Sequence, residues 1–534
     1  MKRGRRHLSR CLLAGASAIG ILASGAPGAG AQDLKEIQAQ IDALQATIMD
    51  LQRQVQDAKA QAAAANAAAV KEPANDLDLK VKWKGAPELS SADGKFKMKV
   101  RGRVQVDYVN ADQDTAITYA PDVAATELRR ARIGVEGVAW YDIKYVFEVD
   151  FANDETRVRD AYLQYEGIKL GETPLLLRVG NFKTPNTFEN VTSDRFIDAM
   201  ERPAYITAWE IDRHIGFMTA YWSDHFGLAA GIFGDTVSNQ PLFSGSFGDE
   251  NVAFAARGTV APINRVVDGD THVLHFGASV RTRDVGNDQP FLQYRARGAD
   301  YRLTNFFVQT GRIADADTFW GLEAVALWGP FSIQGEYGKL DADLPSTAFI
   351  ANNPPPVRVN PFLNVPDPDY HGWYVAGSWF FGGRQTYENE GRWGRPHVDN
   401  PMRWSEGSGW GALQLVGRYD VVDLSDTAFN NAGGCQAQQV FPGVSPPAGA
   451  VDPRTGKPAL AAPRIQQCGE QKTWLVGANW YLNDYTRLMF NYAESELGDY
   501  PLTLAQAGTT LKNSVFGFDG ATIKGFGMRA QVDW

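Results

Sequence analysis

The sequence of 534 residues lacks several features that are common in enzymes and in helical membrane proteins. After residue 31 it has no run of about 18 apolar residues, so we expect no transmembrane helix there. It has no G-x-S-x-G, H-E-x-x-H or Walker motif, and its seven histidines are scattered. We therefore predict that the chain is not an enzyme and that it holds neither a cofactor nor a metal ion.

Cysteine is also scarce, with three residues in the whole chain. Cys435 and Cys468 flank a stretch rich in proline, alanine and glycine, outside any strand pattern. Two cysteines of one loop usually pair in an oxidising compartment, so we predict a disulfide between them. The alternative is a metal site, but neither a histidine nor a third cysteine accompanies the pair.

The first 31 residues have the features of a secretory signal peptide. A basic segment precedes a stretch of apolar and small residues from 11 to 26, and Ala29-Gly30-Ala31 forms a cleavage site. An uncleaved membrane anchor is the alternative. Cleavage removes five basic residues and leaves 47 basic and 62 acidic ones, a net charge of −15. This bulk charge argues against a nucleic-acid partner.

Residues 32–73 carry the heptad pattern of a coiled coil. Apolar residues recur at spacings of three and four, at positions 34, 37, 41, 44, 48, 51 and 55. One helix cannot bury such a seam alone, so the pattern calls for partner helices. An amphipathic helix that lies on its own domain is the alternative. Pro73 ends the helix, because proline lacks an N–H and clashes with the preceding turn. Residues 74–94 are predicted to be a polar linker.

From residue 95 to 534 the apolar period changes to two. In the first such stretch, residues from Phe96 to Tyr108 alternate with basic and polar ones. Its length suits a tilted transmembrane strand of about 9–11 residues. A basic side chain that faces lipid at mid-bilayer costs about 2–4 kcal/mol, so the basic residues are predicted to face the lumen. The last stretch shows the same alternation, with Phe526, Met528, Ala530, Val532 and Trp534 on one face.

Sixteen stretches alternate in this way, which predicts an all-β transmembrane barrel of about 16 antiparallel strands. Residues 291–312 leave room for one more hairpin. With the N-terminus in the periplasm, most long connections fall on the extracellular side, as in known outer-membrane barrels. The long segment 382–409 falls on the opposite side, so it indicates either a register error or an additional element. The stretches are 95–108, 127–140, 142–151, 158–166, 175–182, 214–222, 226–234, 251–260, 272–281, 319–328, 331–340, 371–381, 410–420, 472–482, 485–493 and 524–534.

Several motifs within residues 95–534 resemble the phosphate-selective porins O and P. They are RRARIGVEG at 129–137, VGNFKTP at 179–185, GLE, GPF and GEY between 321 and 337, YHGWYV at 370–375 and GRYDVVDL at 417–424. The resemblance implies a trimeric barrel of 16 strands with inward-folded loops and a pore lined by basic residues. Trp534 resembles the terminal aromatic residue that the barrel assembly machinery recognises, where phenylalanine is more usual.

Seven basic residues are the predicted pore-lining and anion-binding groups. Anion passage needs a series of weak cationic sites; arginine offers a bidentate fork, whereas lysine acts as a point charge. The alternative is that these bases pair with neighbouring carboxylates, Glu136, Glu148, Asp150 and Asp160, and only brace the wall. The seven are Lys97, Lys99, Arg101 and Arg103 on the first strand, Arg130 and Arg132 on the second, and Arg213, which falls where the family carries an arginine before its sixth strand.

Loop 183–213 is our candidate for the constriction, since it is long and carries both charge signs. Its candidate basic residues are Lys183, Arg195 and Arg202. Its acidic residues argue against strong phosphate specificity; they are Glu189, Asp194, Asp198, Glu201, Glu210 and Asp212.

The sequence therefore predicts a porin of the Gram-negative outer membrane with its coiled coil in the periplasm. We expect a homotrimer that lies in outer-membrane lipid and passes small solutes by diffusion, with a preference for phosphate or other anions. One alternative is a general or cation-tolerant porin. The other is a structural tether or adhesin that uses the coiled coil and the long loops, and a plugged lumen would favour it.

Overall fold

The structure, a computed structural model, describes residues 31–69, 79–83, 85–113, 122–209, 212–234, 252–285, 292–346, 349–351, 357–359, 364–403, 405–432, 468–498 and 520–534. The chain divides into two units, 1–78 and 79–534. Residues 1–30 of the predicted signal peptide lie outside the described ranges. None of the described helices is both long enough and apolar enough to cross a membrane.

The described residues of the N-terminal unit form one helix, α1, which spans Ala31–Ala69. Leu44, Ile48, Leu51 and Val55, which belong to the predicted seam, are at least half exposed. A helix is thus present where the coiled coil was predicted, and its association with partner helices stays a prediction.

The second unit opens with a small hairpin within the segment predicted as a linker. β1 (Leu79–Trp83) pairs with β2 (Pro87–Ser91), and β2 also pairs with the start of the next strand. The first nine wall strands follow: β3 Lys97–Gln113, β4 Val123–Ala139, β5 Ile143–Asp150, β6 Arg157–Leu170, β7 Thr173–Lys183, β8 Arg213–Trp222, β9 Phe226–Phe233, β10 Val252–Val267 and β11 Asp270–Asp284.

The remaining strands include the other seven of the wall and several short ones in connections. The short strands are β12 Leu292–Arg297, β13 Phe306–Ala314, β16 Phe349–Ala351, β17 Val357–Val359, β19 Gly383–Arg384, β20 Tyr387–Glu388, β21 Arg392–Trp393 and β22 His397–Val398. The wall strands are β14 Ala316–Trp328, β15 Phe331–Asp343, β18 Asp369–Phe381, β23 Ala412–Asp423, β24 Glu470–Asn483, β25 Thr486–Gly498 and β26 Thr522–Asp533.

Sixteen of the described strands form one closed antiparallel wall. Each wall strand pairs with the next, and β26 pairs with β3 from Ile523↔Gln113 to Asp533↔Arg103, which closes the barrel. The predicted barrel of 16 strands is therefore confirmed. Residues 291–312, which left room for another hairpin, contain the separate pair β12–β13, which does not join the wall.

The wall is apolar outside and polar inside, the reverse of a soluble sheet protein. Along β26, Phe526, Met528 and Val532 are exposed, whereas Arg529 and Gln531 between them are buried. Only an apolar outer surface is stable in lipid, so the alternation fixes which face of each strand points to the lumen.

The two ends of the barrel differ in the length of their connections. At the short-turn end, strands meet through turns such as 140–142, 268–269 and 329–330. At the long-loop end lie 184–212, with helices α2 (Phe188–Val191) and α3 (Ala204–Trp209), and 424–469, with α4 (Thr427–Asn431). Cys468 of the latter is buried and disulfide-bonded. Its predicted partner Cys435 lies outside the described residues, so their pairing stays a prediction.

Segment 382–411 is a long connection at the short-turn end that folds into the lumen. Trp393, on its β21, is fully buried, and its backbone N–H donates to Thr192 Oγ1 at 3.2 Å. Its indole N–H donates to Gln334 on the wall. The segment is therefore a real additional element, and the strand register derived from the sequence is right.

The C-terminal residue helps to close the barrel. The backbone N–H of Trp534 donates to the carbonyl of Gly102 at 3.1 Å, and the N–H of Gly102 donates back at 3.2 Å. A Cβ atom at position 102 would lie 2.3 Å from the indole ring of Trp534. The ring can approach the strand this closely only because residue 102 is a glycine.

We predict that Gly102→Val lowers the temperature at which the barrel unfolds, because the indole of Trp534 must move away. Such overpacking typically costs about 1–3 kcal/mol. The measurement is the temperature at which the folded band is lost on a heat-modifiability gel. Gly417→Val is the matched control, since a Cβ atom at position 417 in β23 would have no neighbour within 4 Å. Equal unfolding temperatures for the two variants would contradict the role of Trp534.

Candidate functional site

Loop 184–212 crosses the lumen from β7 to the opposite wall. At its start, the Glu336 carboxylate of β15 accepts hydrogen bonds from the N–H groups of Phe188 and Glu189, at 3.0 and 2.7 Å. Farther along, Asn491 Oδ1 of β25 accepts from the N–H of Met200 at 2.7 Å. The loop therefore lies inside the barrel, as predicted for the candidate constriction.

Four arginines of β11, β23, β25 and β26 hold the loop by its backbone carbonyls. Each is a lumen-facing side chain that donates to a different carbonyl of the loop. The pairs are Arg418 to Glu201 at 2.8 Å, Arg487 to Ile197 at 2.9 Å, Arg529 to Met200 and Arg281 to Trp209. Buried carbonyls need partners, and a loop with little secondary structure of its own takes them from the wall. The alternation predicts that these arginines face the lumen, but no sequence signal indicates which carbonyl each one binds.

Two cavities lie between this loop and the side of the wall that begins with β3. The inner cavity, of about 500 Å³, is on the side of the short-turn end, and the outer one has about 240 Å³. Lys183, Asp194 and Arg213 line both cavities. We call these three residues the eyelet, because they alone line both cavities among the described residues.

All ten basic residues predicted for the pore and the constriction line these cavities. Lys97, Lys99, Arg101, Arg103 and Arg195 line the inner cavity, Arg130, Arg132 and Arg202 line the outer one, and Lys183 and Arg213 line both.

The arginine row of β3 and β4 is largely paired with carboxylates of the wall. Glu148 of β5 contacts Arg101 at 3.1 Å, Arg103 at 3.4 Å and Arg132 at 3.3 Å. Arg132 also contacts Asp150 at 2.7 Å. The bracing that the sequence suggested as an alternative is therefore present in this row.

Arg213 of the eyelet is paired in the same way. Its guanidinium contacts Asp160 at 2.7 Å and Asp212 at 2.9 Å. Asp212 is shared with Arg159, at 2.5 Å. These pairs link the loop to β6 and fix the guanidinium of Arg213 at the junction of the cavities.

A few lining cations have no carboxylate partner among the described residues. Lys97 and Lys99 belong to this group. Arg178 donates to Gln164 Oε1 at 2.8 Å, and its guanidinium carbon lies 4.5 Å from the ring centroid of Tyr162. Arg178 was not among the predicted site residues, although the alternation of 175–182 places it on the lumen face.

The lining of both cavities is positive overall. The inner cavity is lined by eleven basic and five acidic residues, and the outer one by nine basic and four acidic residues. Within the described part of the chain, no group of three or more histidine, cysteine or acidic residues is arranged to hold a metal ion.

Two acidic residues of the loop, Glu189 and Asp198, line neither cavity, whereas Asp194, Glu201 and Asp212 do. Asp198 Oδ1 accepts from Gln414 Nε2 of β23 at 2.7 Å, and the side chain is 8% exposed. Burial raises the pKa of Asp198 to about 6; the hydrogen bond from Gln414 acts against this rise, and the charge of Glu189 adds to it.

We predict that Asp198→Asn removes a pH dependence of barrel stability. A carboxyl group with a raised pKa stabilises the fold below its ordinary pKa of about 3.9, and this contribution is lost as the pH rises through about 6. Between pH 4 and pH 7 the wild type should lose up to about 3 kcal/mol relative to Asp198→Asn. The measurement is the unfolding temperature of both proteins across this range. Parallel pH profiles would show that Asp198 does not titrate there.

Comparison with known proteins places the chain among outer-membrane porins. The family model of phosphate-selective porins O and P matches residues 98–507. An uncharacterised protein of Caulobacter vibrioides is 25% identical over 437 residues, which cover 81% of this chain and 73% of that protein. Porin O of Pseudomonas aeruginosa is 29% identical over 292 residues, which cover 50% of this chain and 64% of that porin.

The chain is also similar to solved structures of porins, at low sequence identity. OmpT of Vibrio cholerae is 11% identical with a TM-score of 0.42, over 82% of this chain and 98% of that one. An anion-selective porin from Comamonas acidovorans is 11% identical with a TM-score of 0.42, over 82% of this chain and 100% of that one.

Proposed function

Since the chain belongs to the family of phosphate-selective porins O and P and is an outer-membrane barrel, we propose that it forms a diffusion channel that prefers small anions to cations. The observation that carries this proposal is the excess of basic residues along both cavities and at the eyelet. A tether or adhesin would need no such lined passage, so the cavities support a channel.

The excess positive charge comes from few residues. The arginines of β3 and β4 are offset by Glu136, Glu148, Asp150 and Asp194, so this row adds little net charge. Lys97, Lys99 and Arg178 have no such carboxylate among the described residues, and they line the inner cavity. These three cations make the inner cavity an important contributor to the anion preference.

The arrangement favours passage over tight binding. Conduction requires sites that attract a solute strongly enough to admit it and weakly enough to release it. Paired arginines present only part of their charge to a passing solute, whereas lysines act as exposed point charges. A distributed lining of this kind selects by charge sign more strongly than by chemical identity.

We also propose a homotrimer whose coiled coil lies in the periplasm. The support is the exposed heptad seam of α1, which includes Leu44 and Leu51. The hydrogen-bonded position of Trp534 at the end of β26 supports its role as the signal for the barrel assembly machinery.

The test is the reversal potential of the purified full-length protein in a planar bilayer under a KCl gradient. We expect the anionic sign for the wild type. Lys97→Glu/Lys99→Glu should lower the chloride-to-potassium permeability ratio by about twofold or more, because two unpaired charges of the lining are reversed. A cationic sign for the wild type would refute the anion preference.

Lys524→Glu is the control for this charge reversal. Lys524 lies in β26 on the outward face and lines neither cavity. Its reversal should leave the permeability ratio unchanged. An equal effect of both charge reversals would mean that surface potential, and not the cavity lining, sets the selectivity.

A further inference from the structure

One carboxylate of the eyelet is surrounded by three arginines of the wall. Asp194 Oδ2 lies 2.6 Å from Arg130 Nε and 3.4 Å from Arg132 Nη2, and Asp194 Oδ1 is ion-paired with Arg103 Nη1. The Asp194 side chain is 8% exposed. Within the described residues of the two cavities, no other lining carboxylate contacts three guanidinium groups.

This is the environment that a phosphate-type oxyanion prefers. Guanidinium groups bind carboxylate and phosphate oxygens through short, charge-assisted hydrogen bonds. Three of them around one point, at the junction of the cavities, form a site for a small multivalent oxyanion. In this chain a side chain of the loop already fills the site.

We propose that Asp194 is a built-in competitor that occupies the three-arginine site of the eyelet and keeps its affinity for phosphate-type oxyanions low. The proposal rests on the anion channel proposed above and names the residue that limits its specificity. With Asp194 in place, chloride and other small anions pass the eyelet without binding tightly there.

The three arginines do not depend on Asp194 for their positions. Arg103 and Arg132 also contact Glu148, at 3.4 and 3.3 Å. Arg130 Nη1 donates to Gln105 Oε1 at 2.6 Å. Neutralising Asp194 should therefore leave the guanidinium groups in place and free their remaining donors.

The loop cannot readily withdraw Asp194 from the site. Its backbone is also held by Arg487 of β25 at Ile197 and by Arg529 of β26 at Met200. Gln105 Nε2 also donates to the carbonyl of Asp194 itself, at 3.4 Å. Displacement of the carboxylate by a passing anion is therefore costly, which explains how a covalently held competitor suppresses binding.

The test is inhibition of chloride current by inorganic phosphate through the full-length protein in a planar bilayer. In Asp194→Asn, half-inhibition should need a phosphate concentration about tenfold or more below that of the wild type, because the negative charge that competes for the three guanidinium groups is gone. Adding Arg132→Gln to Asp194→Asn should reverse most of this gain. A half-inhibition concentration unchanged from the wild type would overturn the proposal.

Glu390→Gln is the matched control for the loss of one negative charge. Glu390 lines the inner cavity and contacts Arg392 at 2.6 Å, and Arg392 keeps Glu388 as a second partner. This variant should raise anion preference slightly without sensitivity to phosphate. Equal phosphate inhibition in both variants would show that overall charge, and not the three-arginine site, is responsible, and would also overturn the proposal.

The outcomes separate this inference from the proposed function. A wild-type reversal potential of cationic sign refutes the anion channel whatever Asp194→Asn does. An anion-selective wild type whose Asp194→Asn variant is insensitive to phosphate refutes only the role of Asp194. Asp194→Ser serves as the second variant if Asp194→Asn fails to insert, and the heat-modifiability gel shows which variants are folded.

Discussion

The structure depends on the need to satisfy the buried backbone of a loop that crosses the barrel. The described residues of loop 184–212 contain two short helices, so much of their backbone finds its partners outside the loop. Arginines of β11, β23, β25 and β26 supply donors to its carbonyls, and Glu336 and Asn491 accept from its N–H groups. An unpaired buried carbonyl costs free energy comparable to a lost hydrogen bond. These bonds fix where the loop lies and thus where the cavities are.

The same residue type therefore has two roles in the lumen. Arginines of β11, β23, β25 and β26 bind carbonyls of the loop. Those of β3 and β4 mostly form ion pairs with Glu148, Asp150 and Asp194. Removing one partner of a buried pair typically costs about 3–5 kcal/mol, so these arginines are structural whatever else they do. Selectivity is left to the smaller number of cations without carboxylate partners, and to the carboxylates that face the passage.

The sequence predicts the wall far better than it predicts the contents of the lumen. Lipid imposes a period of two on every strand, and this single constraint locates all sixteen strands and assigns residues such as Arg101 and Arg130 to the inside. No comparable periodicity governs a loop inside the barrel. The loop carbonyls that Arg487 and Arg529 bind lie 290 and 329 residues away in the chain, and the folding of segment 382–411 into the lumen depends on such distant contacts. The position of Asp194 among three arginines could not be predicted for the same reason.

Some acidic residues lie away from the cavities, and this contributes to a positively lined passage in an acidic chain. Glu189, Asp198 and Glu336 line neither cavity; they contact the far wall or the loop backbone instead. The loop separates these carboxylates from the passage. They accept hydrogen bonds from Gln334, Gln414 and the backbone of α2. Net charge sums both sides of the loop, whereas a passing ion senses mainly the side that it touches. Moving one carboxylate from the far side to the eyelet, the position that Asp194 holds, therefore changes permeation without any change in the net charge of the chain.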